Sequence, residues 1–140
     1  MAYNQKVQAM FIPVLEQIET AANDPFTWIV KKNMLVRDVS VVVVEATVVA
    51  SSTAPVFSLD YTDTVNSVGR AEKATLSVAD GTVLGTEKIA SVNSGVAWVP
   101  FFVEAGNTLH FEHKTAGAGG SSAGAVYFIL YYEAISDGKS

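Results

Sequence analysis

The chain has 140 residues, a formal net charge of −5 and no cysteine. This length suits one domain with its own hydrophobic core, and the lack of cysteine excludes disulfides, thiolate metal ligands and cysteine nucleophiles. Acidic residues outnumber basic ones by 14 to 9, and the basic residues cluster only at Lys31-Lys32, which argues against binding in a nucleic-acid groove. Charged residues make up 16% of the chain, against about 25% in typical soluble domains, so part of the surface is expected to meet another protein.

The beginning of the sequence lacks the apolar core of a secretory signal, and no apolar run approaches the roughly 20 residues of a membrane-spanning helix. We therefore expect a soluble protein made in the cytoplasm, with no membrane partner and no nucleic-acid partner. We also expect no cofactor.

Residues 1–24 form the segment without clear strand periodicity. Phe11, Leu15 and Ile18 fit one face of a helix, whereas residues 11–15 could equally be extended. Our interpretation is an N-terminal arm or edge segment, with a short helix as the alternative and a further strand of the main domain as the rival.

The next part of the chain predicts strands, because it is rich in β-branched and aromatic residues at alternating positions. Residues 26–30 form the first strand, and residues 34–49 form a valine-rich run that is either one long strand or two strands joined by a bend near Glu45. Residues 56–62 alternate apolar and polar side chains, which is typical of a strand with one wet face. The polar residues 64–72 predict a long exposed loop.

Further along, residues 74–78 predict a short strand and residues 83–92 another, interrupted by a glycine. Residues 98–103 and 108–114 predict a hairpin about the turn at 104–107.

The last strand, residues 125–132, follows a glycine-rich loop at 117–124, and residues 136–140 predict a frayed tail. About eight short strands with close turn signals indicate an all-β fold, an antiparallel sandwich or barrel, and we assign a β-sandwich to residues 25–135.

The valine-rich run and the last strand carry apolar side chains on both faces, so each needs a cover beyond the core of its own domain. An open face of this kind would aggregate, and a homo-oligomer interface is the simplest cover. The residues assigned to that interface are Val39, Val41, Val43, Tyr127, Ile129 and Tyr131.

Four short stretches follow one another along the chain: TAP at 53–55, FSLDY at 57–61, FVEAGNTLHF at 102–111 and AGAVYF at 123–128. Their order resembles the jelly-roll domains of tailed-bacteriophage virion proteins, which include head-decoration proteins, head fibres and tail-fibre modules. The resemblance covers residues 34–133 and implies a jelly-roll-like β-sandwich.

The resemblance also implies a structural virion protein that decorates and stabilises a capsid, is located in the virion and is not an enzyme. The alternatives are a tail or head fibre module and a carbohydrate-binding β-sandwich module. The implied partners are further copies of the chain, in a homotrimer, and the major capsid protein or another virion protein. The N-terminal segment has no counterpart in the resemblance, and we expect it to attach to the particle through Met10, Phe11, Ile12, Val14, Leu15 and Ile18.

Few residue patterns suggest chemistry. His110 and Glu112 share one strand face while His113 points to the other, so we predict no metal site and no catalytic role for the histidines. The glycine-rich loop lacks the lysine of a phosphate-binding loop and precedes a strand, which argues against nucleotide binding. Exposed aromatic side chains could instead stack on sugar rings, which keeps a glycan as the alternative ligand; the aromatic set is Trp28, Trp98, Phe101, Phe102, Tyr127, Tyr131 and Tyr132.

Overall fold

A computed structural model describes residues 7–18, 23–48, 54–79, 82–116 and 123–135. Nearly all of this part of the chain is extended, with one short helix. The elements are β1 Gln8–Phe11, β2 Glu16–Gln17, β3 Asn23–Ile29, β4 Met34–Val48, β5 Val56–Asp63, β6 Val68–Ser77, β7 Glu87–Ile89, α1 Ala90–Asn93, β8 Phe101–Val103, β9 Thr108–Thr115 and β10 Ala123–Ala134.

The strands form two antiparallel sheets. Sheet A has the order β1-β10-β4-β7, with β2 also paired to β10 and β8 also paired to β4, and sheet B has the order β3-β9-β5-β6. The pairs are nested: β1 pairs with β10, β3 with β9, β4 with β7 and β8, and β5 with β6. A chain that pairs from its ends inward and alternates between two sheets has the strand order of a jelly roll. The predicted antiparallel, jelly-roll-like β-sandwich is confirmed.

The core lies between the sheets and follows from the alternation of β4 and β10. Val126 lies opposite Val43, Phe128 opposite Val41 and Leu130 opposite Val39, so all of them point toward sheet B. There the Phe128 ring meets two rings edge-on, that of Phe57 at 5.9 Å and that of Phe111 at 5.3 Å. Each such side chain contributes roughly 1.5 to 3 kcal/mol when it leaves water, which makes this layer the main source of stability.

The valine-rich run is one long strand. The irregularities in its pairing with β10 are bulges, not ends: Val36 and Asp38 face successive residues of β10, so Arg37 is the extra residue and is exposed. A bulge keeps the strand continuous while it restores the inward direction of the valines that follow.

Residues 64–72 are not a long loop, and this prediction is wrong. Residues 64–67 make a tight turn in which Ser67 has φ 57°, and β6 begins at Val68 opposite Asp63. The strand is polar at its start because it is an edge strand of sheet B with side chains open to water.

The predicted hairpin of residues 98–103 and 108–114 is also wrong. The turn at 104–107 exists, but β8 joins sheet A and β9 joins sheet B. The turn is held by other elements, since the amide of Gly106 donates to the carbonyl of Val30 at 2.8 Å and the side chain of Asn107 accepts from the amide of Val65 at 2.9 Å. These hydrogen bonds hold the turn where the chain passes from sheet A to sheet B, so β8 and β9 do not pair with each other.

The predicted strand at 83–92 is shorter than expected. Only Glu87–Ile89 pair with β4, and the chain then turns into α1. Gly85 lies in the preceding turn with φ +87°, a backbone conformation that residues other than glycine rarely adopt.

The N-terminal segment is the edge of sheet A in its described part. β1 and β2 both pair with β10, so residues 8–17 are neither a separate arm nor a helix, and β3 runs across the expected boundary after residue 24. Ile12 and Ile18 are buried in the core at 2% and 0% exposure. The predicted frayed tail at 136–140 and most of the glycine-rich loop, residues 117–122, lie outside the described residues.

The burial of Ile18 gives a direct test of this edge. We expect Ile18→Ala to lower the free energy of unfolding by about 2 to 5 kcal/mol, because it leaves a cavity between the sheets. The matched change Leu15→Ala should cost about 1 kcal/mol or less, because Leu15 is 49% exposed. Urea unfolding at one fixed protein concentration measures both, and two equally small losses would indicate a detached arm.

Candidate functional site

The two histidines lie on opposite faces of β9. His110 is on the outer face of sheet B, where its Nε2 lies 2.9 Å from the hydroxyl of Thr62. Partial burial is the main reason why the pKa of His110 lies below its ordinary value, and the nearby Arg70 lowers it further. Among the described residues there is no group of histidine, cysteine or carboxylate side chains that could hold a metal ion.

His113 is part of the core. It is fully buried, its ring stacks on that of Phe57 at 4.5 Å, and its Nδ1 lies 2.8 Å from Oε2 of Glu16, itself only 6% exposed. This contact joins β2 of sheet A to β9 of sheet B. A buried carboxylate needs a hydrogen-bonded partner, so His113 has a structural task here.

Sequence reasoning missed Glu16, although a signal was present. Glu16 is an even number of residues from Ile12 and Ile18, which point inward, and His113 is two residues after Phe111. Residues at such spacings in an extended chain point to the same side. An acid and an imidazole at two inward positions predict a buried pair once the faces are known.

The outer face of sheet B is charged, and Arg70 lies at its centre. Arg70 contacts Asp24 at 2.9 Å, Asp60 at 2.7 Å and Glu112 at 3.3 Å, so one guanidinium joins four neighbouring strands. Its hydrogen bonds hold the pKa of Asp24 below the ordinary value. We call this surface the charged face; its members are Asp24, Asp60, Arg70, Glu72, Glu112 and Lys114.

The outer face of sheet A differs in kind. Phe11 on β1 meets Tyr127 on β10 edge-on at 5.6 Å, and Phe11 is 62% exposed. At the edge on the far side of β4, Phe102 on β8 is 48% exposed. We call this surface the apolar face; its members are Phe11, Val42, Phe102, Tyr127, Ile129 and Tyr131.

Two carboxylates lie among these apolar side chains: Glu87 on β7, and Asp38 on β4, which is opposite Tyr131. The hydroxyls of Ser40 and Tyr131 both donate to Glu87, the former at 2.5 Å. Burial and the contact with Glu87 raise the pKa of Tyr131 to about 12. Two hydroxyls therefore hold Glu87 against the sheet, while Asp38 accepts hydrogen bonds from the amides of Val39 and Ser91.

The structure divides the residues that the sequence assigned to an oligomer interface. Tyr127 and Tyr131 are partly exposed on the apolar face, and Ile129 points to the same face but is only 5% exposed, whereas Val39, Val41 and Val43 are in the core at 0–1% exposure. The interface assignment of the three valines is wrong, because their side chains retain no surface that a partner could reach.

The residues assigned to particle attachment are divided as well. Ile12 and Ile18 are core residues and Met10 packs against the core, so these three do not offer a free surface. Phe11 belongs to the apolar face. Leu15 is half exposed and Val14 is partly buried beside it.

The aromatic set is mostly structural. Trp98, Phe101 and Tyr132 pack against the core, and Nε1 of Trp98 donates to the carbonyl of Arg37 at 3.2 Å. Trp28 and Tyr132 also line a cleft at one end of the sandwich.

Compared with known proteins, the sequence matches no family model and no curated protein. Within the described residues no helix has both the length and the apolar character needed to cross a membrane.

The position of Arg70 gives a second test. We expect Arg70→Gln to lower the free energy of unfolding by about 1 to 3 kcal/mol, because Asp24, Asp60 and Glu112 then face one another without a cation. Part of that loss should disappear in 1 M salt, which screens carboxylate repulsion.

The matched control is Arg37→Gln, since Arg37 pairs with one acid, Glu133, and its side chain is 45% exposed. It should cost less than about 1 kcal/mol. Urea unfolding of both variants at low and high salt makes the comparison, and equal losses would contradict a central role for Arg70.

Proposed function

We propose that this protein is a structural protein of a tailed-bacteriophage virion, a jelly-roll building block that self-associates and decorates the head. Its task is to add a rigid, oligomeric layer to the particle and not to catalyse a reaction. Two features support the proposal: the jelly-roll strand order, which agrees with the resemblance, and the difference between the two outer faces of the sandwich.

The difference between the faces carries the proposal. The charged face has six charged side chains joined by ion pairs across sheet B, a surface suited to water. The apolar face has aromatic and aliphatic side chains, and the carboxylates beside them are hydrogen-bonded: Glu87 accepts from two hydroxyls, and Asp38 accepts from the amides of Val39 and Ser91. A large exposed apolar surface usually marks an interaction site, so the apolar face is the one that we expect a partner to cover.

A second copy of the chain is the occupant that we propose for the apolar face. β1 is an edge strand of sheet A, and an edge that carries an exposed phenylalanine is prone to pair unless it is covered. Burial of several large apolar side chains, at roughly 1.5 to 3 kcal/mol each, can offset the cost of association. A homotrimer closed about one axis repeats the same contact three times and leaves no apolar face open.

Attachment to the head is proposed for the connection between β1 and β2. Leu15 is 49% exposed there and Val14 lies beside it, whereas the other four residues assigned to attachment pack in or against the core or lie on the apolar face. The proposed partner is the major capsid protein or another virion protein. A tail or head fibre module would share the self-association and differ in its position on the particle.

The experiment is co-sedimentation of the purified chain with expanded heads of the phage that encodes it. We expect the chain to sediment with the heads and to saturate at a fixed ratio. Leu15→Glu should weaken this binding, because it places a charge in the proposed contact. Leu84→Glu should not, since Leu84 is even more exposed, at 60%, but lies before β7 and outside that contact.

Binding to tails or fibres without binding to heads would favour the fibre alternative. Retention on a glycan resin without binding to any particle would favour the carbohydrate-binding module. A chain that is absent from purified virions, as judged by mass spectrometry, contradicts the virion role.

A further inference from the structure

A cleft of about 430 Å³ opens at one end of the sandwich. Sheet B contributes Trp28 from β3, and sheet A contributes Gln8, Met34 and Tyr132. The connection between β3 and β4 adds Lys31, Lys32 and Asn33, and Ala134 completes the lining. The volume lies within the range of small-molecule sites, which combine an apolar wall with a few polar groups.

The aromatic walls of the cleft are held in place. Trp28 and Tyr132 are partly buried and pack against the core, so each ring has one side fixed by the sandwich. They come from different sheets, and a ligand between them would contact both layers. Large, rigid aromatic surfaces with a polar end suit ligands that are themselves partly apolar and partly hydroxylated.

The cleft is a positive site on an acidic protein. Its lining includes two lysines and no acidic residue, whereas the whole chain has a net charge of −5. Arg37, Arg70 and Lys114 are each paired with carboxylates. Within the described ranges neither Lys31 nor Lys32 has such a partner, and both side chains are exposed.

The amides complete the chemistry of the site. Oδ1 of Asn33 accepts a hydrogen bond from the amide of Ala105 at 3.0 Å, which fixes the side chain and leaves its NH₂ group to donate. Gln8 offers both a donor and an acceptor. Hydroxyl groups of a ligand can both donate and accept, so they match these amides.

We propose that this cleft binds an acidic saccharide. Its carboxylate pairs with Lys31 and Lys32, and the sugar ring packs against Trp28 and Tyr132. Charge-assisted hydrogen bonds are about twice as strong as neutral ones, so the carboxylate supplies the selectivity. A nucleic-acid strand fits less well, because its further phosphates would extend over a protein that is acidic overall. The inference does not depend on the virion role.

The test is an NMR titration of the ¹⁵N-labelled full chain with matched sugars. The probes are 3′-sialyllactose with lactose, glucuronate with glucose, and galacturonate with galactose, together with a hexathymidine oligonucleotide. We expect at least one acidic sugar to shift the amide signals of residues 28–34 and 132, and to bind about tenfold more tightly than its neutral counterpart.

The double variant Lys31→Gln and Lys32→Gln should reduce the affinity for that acidic sugar by about tenfold and leave the remaining spectrum unchanged, because both lysines are exposed. Lys88→Gln removes a cation on β7, outside the cleft lining, and should leave the affinity unchanged. The proposal is overturned if no acidic sugar shifts these amides, if neutral sugars bind equally well, if the double variant binds like the wild type, or if the oligonucleotide binds more tightly than every sugar.

Discussion

The pairing of β10 with β4 is the contact on which the rest of the structure depends. It runs antiparallel from Ala123 to Ala134 at the centre of sheet A and sets the inward and outward directions of both strands at once. The inward residues of the two strands make one layer of the core, and β1, β2, β7 and β8 then add to their free edges. Sheet B packs against that layer through Phe57 and Phe111.

This central pair also explains why the two surfaces of the sandwich differ. Because β4 and β10 carry apolar residues on both faces, the outer face of sheet A is largely apolar, with Glu87 held by two hydroxyls and Asp38 by two amides. The outward residues of β5, β6 and β9 are mostly polar. Arg70 pairs there with the carboxylates of Asp24, Asp60 and Glu112, which lie on three different strands of sheet B. A sandwich with one charged and one apolar outer face is suited to an assembly in which the apolar face is covered.

The sequence predicted the class of fold because strand periodicity is local. The long valine run, the strand at 56–62 and the apolar last strand all follow from alternation along a few residues, although Ser58 and Asp60 on the polar side of that strand are buried beneath Arg70 and Glu112 and not open to water. The hairpin about 104–107 failed for a different reason: turn residues show that the chain reverses, but not which sheet receives the next strand. The polar β6 was mistaken for a loop because an edge strand open to water has little apolar periodicity.

The candidate surfaces could be predicted only in part. Alternation shows that a strand has two different faces, but it does not show which of them meets the core. The sequence therefore assigns all of these residues to one oligomer interface, but the register with β10 turns Val39, Val41 and Val43 inward, while Tyr127 and Ile129 point to the outer face of the sheet. The pair of Glu16 and His113, the network of Arg70 and the cleft beside Trp28 join residues far apart in the sequence, so they needed the topology.

The measurement that tests the account most directly compares Phe11→Glu with Val68→Glu by light scattering coupled to size-exclusion chromatography. Both residues are more than half exposed and lie on edge strands, Phe11 on the apolar face and Val68 on sheet B. We expect the wild type and Val68→Glu to have the mass of an oligomer, and Phe11→Glu to have the monomer mass of 14.9 kDa. A wild-type monomer at micromolar concentration, or the same mass for both variants, would contradict an apolar face that is covered by further copies of the chain.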